Sequence, residues 1–349
     1  MMMGGYGLQF TTATALALLA TPVVRAAAAR FGAVDVPGDR RVHRNNVPRL
    51  GGLAVVAAML AALAIGAAAG GIKPFGELPQ LLWLLAGTLC VVTVGVIDDV
   101  RGLGPWPKLA VEIVAGLMAL AGGYGFSAVT NPFTGGYIAL SVFGTPITLL
   151  WIVGITNAVN LIDGLDGLAA GVGVIAAVTL IVVAQMQERP EAGLLAATLA
   201  GALVGFLVYN FHPASIFLGD SGALVVGFLL SVLSIQAQGK GSTIVVVLAP
   251  LLVLGLPIIE TGLSMLRRFS AAGAAGIFRA DQEHIHHRLL RRGLSQRRAV
   301  LLLYAVSVLL SVLAYLAIVI GGRGNALLVA GVVVAIYAAV RKLGYGVRS

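Results

Sequence analysis

The sequence predicts an all-α, polytopic integral membrane protein, and three observations carry that prediction. Of 349 residues, 59% are hydrophobic and only 11% are Asp, Glu, Lys or Arg, where soluble domains carry about a quarter charged. Mean hydropathy is +0.98. Apolar runs able to cross about 30 Å of hydrocarbon, roughly 20 residues each, recur eleven times. Lipid cannot hydrogen-bond a peptide group, so each run must satisfy its own backbone as a helix. Secreted disulfide scaffolds, disordered chains and ordinary cytosolic enzymes are excluded. The lone Cys90, inside an apolar run, reads as a small buried hydrophobe.

The runs fall near 6–24, 51–70, 80–97, 108–126, 145–161, 166–186, 192–210, 221–238, 243–266, 299–320 and 325–340. The first has the length of a secretory signal but no basic head, and the chain keeps crossing after it, so it counts as a helix. Segment 134–147, with glycines flanking alternating residues, predicts a short external hairpin. Eleven crossings place the termini on opposite sides. Nineteen of the 23 Lys and Arg residues then share one face, leaving only Lys73, Arg189, Lys240 and Arg323 on the other. The positive-inside rule sets the N-terminus outside and the C-terminus in the cytoplasm of a plasma-membrane protein. The net charge of +9 is therefore mainly topological, with a remainder for lipid headgroups or phosphates, and no nucleic-acid partner is expected. The whole chain, 1–349, reads as one domain with cytoplasmic loops at about 25–50, 98–108, 162–166, 211–220 and 267–298.

Chemistry is expected on that cytoplasmic face. Only Glu77, Glu188 and Glu191 lie outside and Glu112 falls within the fourth span, while the other ten acids sit at cytoplasmic edges. Ionisable groups at membrane depth are costly and normally line a site. Asp98 and Asp99 close the third span; neighbours on a helix point about 100° apart, so the pair serves one site only if the helix frays. Asn157, Asn160 and Asp163 share a broad helix face, and Gly164, Asp166 and Gly167 follow. Oxygen donors without His or Cys suit a hard cation such as Mg²⁺. Asp220, opening the eighth span after Phe217-Leu218-Gly219, fits either a helix cap or a metal ligand, and Phe217 either packing or a platform for a base. In the longest loop, Arg279 precedes His284, His286, His287 and Arg288; the spacing lacks the i, i+4 pattern of a helical zinc pair, and these donors suit a diphosphate or a sugar better. Arg40 and His43 in the first loop suit a lipid phosphate or a topological anchor.

Together these segments, spread over about 35–305, resemble the polyprenyl-phosphate N-acetylhexosamine-1-phosphate transferase family. The run His284-Ile285-His286-His287-Arg288 is similar to its WecA/TagO branch, which uses UDP-GlcNAc, rather than to the MraY branch. The resemblance implies transfer of GlcNAc-1-phosphate from UDP-GlcNAc to undecaprenyl phosphate, releasing UMP, as the first membrane step of cell-envelope polysaccharide synthesis. It implies Mg²⁺, with Mn²⁺ as a substitute, held by Asn160 and Asp220. Asp98, Asp99, Asp163 and Asp166 become the catalytic aspartates. Asn157, Phe217, Arg279, His284, His286, His287, Arg288, Arg40 and His43 become substrate contacts, with Phe217 stacking on uracil. Glu260 departs from the Asp usual in the family and stays outside the catalytic set. A homodimer is compatible with this reading. A phospho-MurNAc-pentapeptide transferase is the rival within the family, and an ion-coupled secondary transporter the rival from another class. Transporter sites sit near the midplane, often in repeated halves, whereas these acids cluster at cytoplasmic ends and no internal repeat is visible.

Overall fold

The computed structural model describes residues 2–35, 46–69, 78–130, 137–237, 251–272 and 284–320, with single positions at 331 and 334. Within them the chain forms α1 (Met2–Arg30), β1 (Val34–Asp35), β2 (Val47–Pro48), α2 (Gly51–Ala68), α3 (Leu78–Arg101) and α4 (Pro105–Ala121). After β3 (Ala128–Thr130) and β4 (Tyr137–Ala139) come α5 (Gly144–Ile162), α6 (Leu168–Met186), α7 (Pro190–Asn210) and α8 (Gly219–Gln236). The order closes with α9 (Gly255–Ala272), α10 (Ile285–Arg291) and α11 (Gln296–Ile320). Among the described residues, 8 helical stretches are long and apolar enough to cross a membrane, so this is a multi-pass membrane protein. The expected run at 325–340 and the start of the ninth lie outside the described residues.

Two boundaries differ from expectation. The first helix runs through Arg30, so Arg25 and Arg30 ride on it instead of opening a loop. The hairpin is earlier than 134–147: β3 pairs antiparallel with β4, Ala128 opposite Ala139, and Gly144 already starts α5. Gly144 packs directly on the Phe126 carbonyl, which a Cβ there would meet at 2.6 Å.

Small residues set the packing, as they do where lipid removes the hydrophobic drive between helices. A Cβ on Gly201 of α7 would stand 2.2 Å from the Phe10 carbonyl oxygen, and one on Gly205 2.4 Å from that of Thr14. The two glycines are four residues apart and share a face, so α1 lies directly on α7, where Thr14 Oγ1 donates to the Gly201 carbonyl at 3.0 Å. At the centre, every residue of α8 from Ser221 to Ile235 is buried. Gly52 of α2 and Gly95 of α3 press against its first turn: a Cβ on either would fall within 2.4 Å of Ser221 or Gly222 backbone. That contact fixes where α8 begins. At the same end of the bundle lie the C-termini of α3, α5 and α7 and the N-termini of α2, α4, α6 and α11.

Candidate active site

The start of α8 organises the site. Its N-cap residue is Leu218, which has no side-chain oxygen for the orphan amides of the first turn. Asp99 of α3 supplies both: Oδ1 accepts from the Asp220 amide at 2.9 Å and Oδ2 from the Ser221 amide at 3.0 Å. Gly219, at φ 72°, makes room, since a Cβ there would stand 2.5 Å from Asp99 Oδ2. Asp220 is therefore not the cap; it is freed to face outward. Nor does the third span fray. α3 stays helical through Arg101 and its two carboxylates part: Asp99 goes to α8, while Asp98 Oδ1 accepts from the Leu103 amide at 2.5 Å.

Lys108, one turn into α4, joins the separated acids. Its Nζ stands 2.7 Å from Asp220 Oδ2 and 3.3 Å from Asp98 Oδ2. Asn160 of α5 approaches the same Asp220 Oδ2 at 3.3 Å. Asn160 and Asp220, 60 residues apart in sequence, thus meet through the Asn160 amide, which donates to that oxygen. Asn157, expected on the same working face, turns away. Its amide donates to Glu112 of α4 and to the Val153 carbonyl, so it braces two helices instead of lining the cleft.

The α5–α6 turn forms the next wall. Gly167, at φ 79°, packs on Phe211, and its carbonyl accepts from Tyr304 of α11 at 2.5 Å. Asp166 Oδ2 takes the His212 ring at 2.7 Å and the Ala214 amide at 3.1 Å, both on one oxygen. Burial, reinforced by the neighbouring Asp220 and Asp99 carboxylates, pushes Asp163 up to about 8. A cleft of about 280 Å³ is lined by Asp99, Asp163, Asp166 and Asp220 together with Phe217, His287 and Asn210. The Phe217 backbone is pinned from both sides, donating to the Pro48 carbonyl at 2.8 Å and accepting from the Gly51 amide at 3.0 Å.

The histidine segment divides. His284 Nδ1 lies 3.1 Å from Glu260 Oε1, which also accepts from the Ile285 amide at 2.7 Å, so a carboxylate on α9 caps α10. His284 and His286 are buried and their rings stack at 5.4 Å. Only His287 of the three lines the cleft. Burial and the flanking His287 and His284 push His286 down to about 3, so it is a neutral packing element against Gly164. Arg288 follows on α10, half-buried and outside the cleft lining. Arg40, His43 and Arg279 lie outside the described residues.

The family model of glycosyl transferase family 4 matches residues 81–238, which hold Asp98, Asn160, Asp166 and Asp220. The chain is 37% identical over 295 residues, 84% of its length and 80% of the relative's, to a probable undecaprenyl-phosphate N-acetylglucosaminyl 1-phosphate transferase of Bacillus subtilis. The chain belongs to this family. The decaprenyl-phosphate N-acetylglucosaminephosphotransferase of Mycolicibacterium smegmatis is 38% identical over 84% of the chain and 77% of its own length. A phospho-N-acetylmuramoyl-pentapeptide-transferase of Latilactobacillus sakei is 33% identical over 77% of the chain and 83% of its own length.

For a family 4 glycosyl transferase the donor set favours a hard cation. Asp220 and Asn160 offer oxygen chemistry only, and among the described residues no three His, Cys, Asp or Glu side chains converge on one point. A cation here would take one or two protein ligands and fill its shell with water and phosphate oxygens, the habit of Mg²⁺. Sequence reasoning missed four residues of the site. Lys108 was counted as topological charge, although a lysine ten residues after an aspartate pair, inside an apolar helix, is itself a signal. Asn210 is buried, its Oδ1 has no hydrogen-bond partner, and it borders the cleft. Asp35 and Arg49 form an ion pair at the cleft edge, joined by the β1–β2 ribbon.

Proposed function

We propose that this family 4 enzyme transfers GlcNAc-1-phosphate from UDP-GlcNAc to undecaprenyl phosphate in the plasma membrane, giving undecaprenyl-diphosphate-GlcNAc and UMP. The names of the Bacillus and Mycolicibacterium relatives support the sugar and a polyprenyl acceptor. The observation that carries the reading is the meeting of Asp98, Lys108, Asn160 and Asp220 beside a cleft rimmed by Phe217. Among the described residues Arg49, Lys108, Arg288, Arg297 and Arg298 lie at that end of the bundle, which supports an orientation with the cleft in the cytoplasm. A nucleotide reaches it from water and a prenyl tail from the leaflet.

The reaction breaks the bond between the two donor phosphates and forms a like bond to the acceptor phosphate, so UMP leaves and the step is near thermoneutral. Catalysis is then mostly positioning and charge neutralisation. Asp220 and Asn160 would hold Mg²⁺, with Mn²⁺ as its substitute, which when bound supplies neutralisation of the diphosphate. Lys108 adds a cation on the same wall. Asp98, fixed by the Leu103 amide, orients that ammonium. Asp163 carries its proton near neutral pH in the free protein and so presents the cleft with a hydrogen-bond donor. Asp166 spends one oxygen on His212 and Ala214 and turns the other to substrate. Phe217 stacks on the base.

The test is UMP release by purified protein given undecaprenyl phosphate and either UDP-GlcNAc or UDP-MurNAc-pentapeptide. Turnover with the first donor alone is expected. Turnover only with the second assigns the other branch, and turnover with neither overturns the reading.

A further inference from the structure

Lys108 holds the oxygen that a cation at Asp220 and Asn160 would need. Its Nζ lies 2.7 Å from Asp220 Oδ2, the same atom that Asn160 approaches at 3.3 Å. A divalent ion on that oxygen weakens the ammonium contact, because two positive centres on one oxygen repel strongly in a partly dry site. Lys108 would then keep only the longer contact to Asp98 Oδ2, at 3.3 Å, and needs a second carboxylate partner in place of Asp220.

Glu112 is placed to be that partner. It follows Lys108 by four residues on α4, so the two side chains share one helix face. It is 2% exposed. Asn157 of α5 donates to its Oε2, while Oε1 is buried with no hydrogen-bond partner. A carboxylate oxygen left bare at this depth is costly, and holding one oxygen on Asn157 aims the other at whatever arrives. The charged groups within its electrostatic reach are Lys108 on its own helix and Asp220 on α8. Its only cationic neighbour among them is one turn away.

We infer that Lys108 is a two-position ammonium: it rests on Asp220 in the free enzyme and swings to Glu112 when a divalent cation takes Asp220. Glu112 is thus a positioning residue that lowers the cost of cation binding by receiving the displaced charge. The inference rests on the cation assigned to Asp220 and Asn160 above.

The experiment is Mn²⁺ titration of the purified, substrate-free protein followed by electron paramagnetic resonance, with thermal unfolding as the control for folding. Glu112→Gln is expected to weaken Mn²⁺ binding about ten-fold, the scale of one charge pair at intermediate dielectric. Lys108→Met is expected to tighten it. In the Lys108→Met background, Glu112→Gln should cost less than about three-fold, because no ammonium needs rehousing. An equal loss in both backgrounds would overturn the inference, since Glu112 would then act on the cation directly or through the fold. An unchanged affinity in Glu112→Gln overturns it as well. If Glu112→Gln does not fold, Glu112→Asp keeps the charge and withdraws it by one methylene; a smaller loss confined to the Lys108 background supports the inference, and no loss overturns it. UMP release that requires Mg²⁺ without any Mn²⁺ bound to free enzyme would assign the ion to the substrate and overturn this inference alone. UMP release with no divalent ion would remove the cation from the proposed function too.

Discussion

Two helices of this protein begin in the same way and end in different roles. α8 and α10 both lack a capping oxygen of their own, and each receives a carboxylate from a distant helix: Asp99 at the start of α8, Glu260 at the start of α10. Beyond the cap they diverge. The first turn of α8 exposes Asp220 to Lys108, Asn160 and the cleft, whereas the first turn of α10 buries His286 as a neutral ring against Gly164. The lesson concerns acids. Asp99 lines the cleft with both oxygens occupied by backbone amides, whereas Asp220 and Asp166 line it with a single oxygen each carrying the hydrogen bonds described above.

Breaking the active half of that comparison should have the largest effect. Asp220→Asn removes the charge that holds Lys108 and the expected cation, so UMP release should fall by about a thousand-fold or more, roughly 4 kcal/mol of barrier. Because Asp220 caps nothing, the unfolding midpoint should stay near wild type. Asp99→Ala should invert the pattern. It strips two amides at the buried start of α8 and should cost about 2 to 3 kcal/mol of stability, read as a lowered midpoint, with activity falling because α8 shifts. A midpoint unmoved in Asp99→Ala would deny it the capping role. Smaller again is Phe217→Ala. With the backbone at 217 held by Pro48 and Gly51, the loss is the ring alone, about 1 to 3 kcal/mol in UDP-GlcNAc affinity by equilibrium binding. An unchanged affinity returns Phe217 to packing.

What the sequence disclosed follows the same division. Apolar length and the one-sided crowd of acids are local signals, so the membrane helices and the end that carries the site were legible. The sequence also paired Asn160 with Asp220, as ligands of one cation; what the fold shows is their proximity, the Asn160 amide donating to Asp220 Oδ2 at 3.3 Å. Capping across 121 residues was not: nothing near Asp99 says that Leu218 lacks a cap. Lys108 and Glu112 were hidden for the opposite reason. Each has an ordinary local explanation, as topological charge or stray acid, and only the packing of α3, α4, α5 and α8 brings them to Asp220 and Asn157. His284 and His286 looked like ligands because histidines cluster at sites; Glu260, set aside for its extra methylene, is what turns them inward.

The quiet half of the comparison gives the smallest effect and a sharp sign. His286 falls to about 3 in the folded protein, against about 6.5 for an exposed imidazole. The unfolded chain therefore binds the extra proton first, and the stability held by the neutral ring is complete above pH 6.5 and lost as pH falls toward 3. One pH unit below 6.5 should cost about 1.4 kcal/mol. Asp163 works the other way: raised to about 8, it is the folded state that keeps the proton, so its contribution declines as pH rises from about 4 to 8. The wild-type profile is the sum of both, but the difference between wild type and His286→Gln cancels Asp163. That difference, measured by chemical denaturation in detergent, should be flat above pH 7 and shrink in favour of the variant between pH 6.5 and 5. A difference constant over that range would mean that the His286 ring takes up its proton as readily in the folded protein as in water, and that the α10 side of the cleft is not the dry, neutral wall that sets it apart from α8.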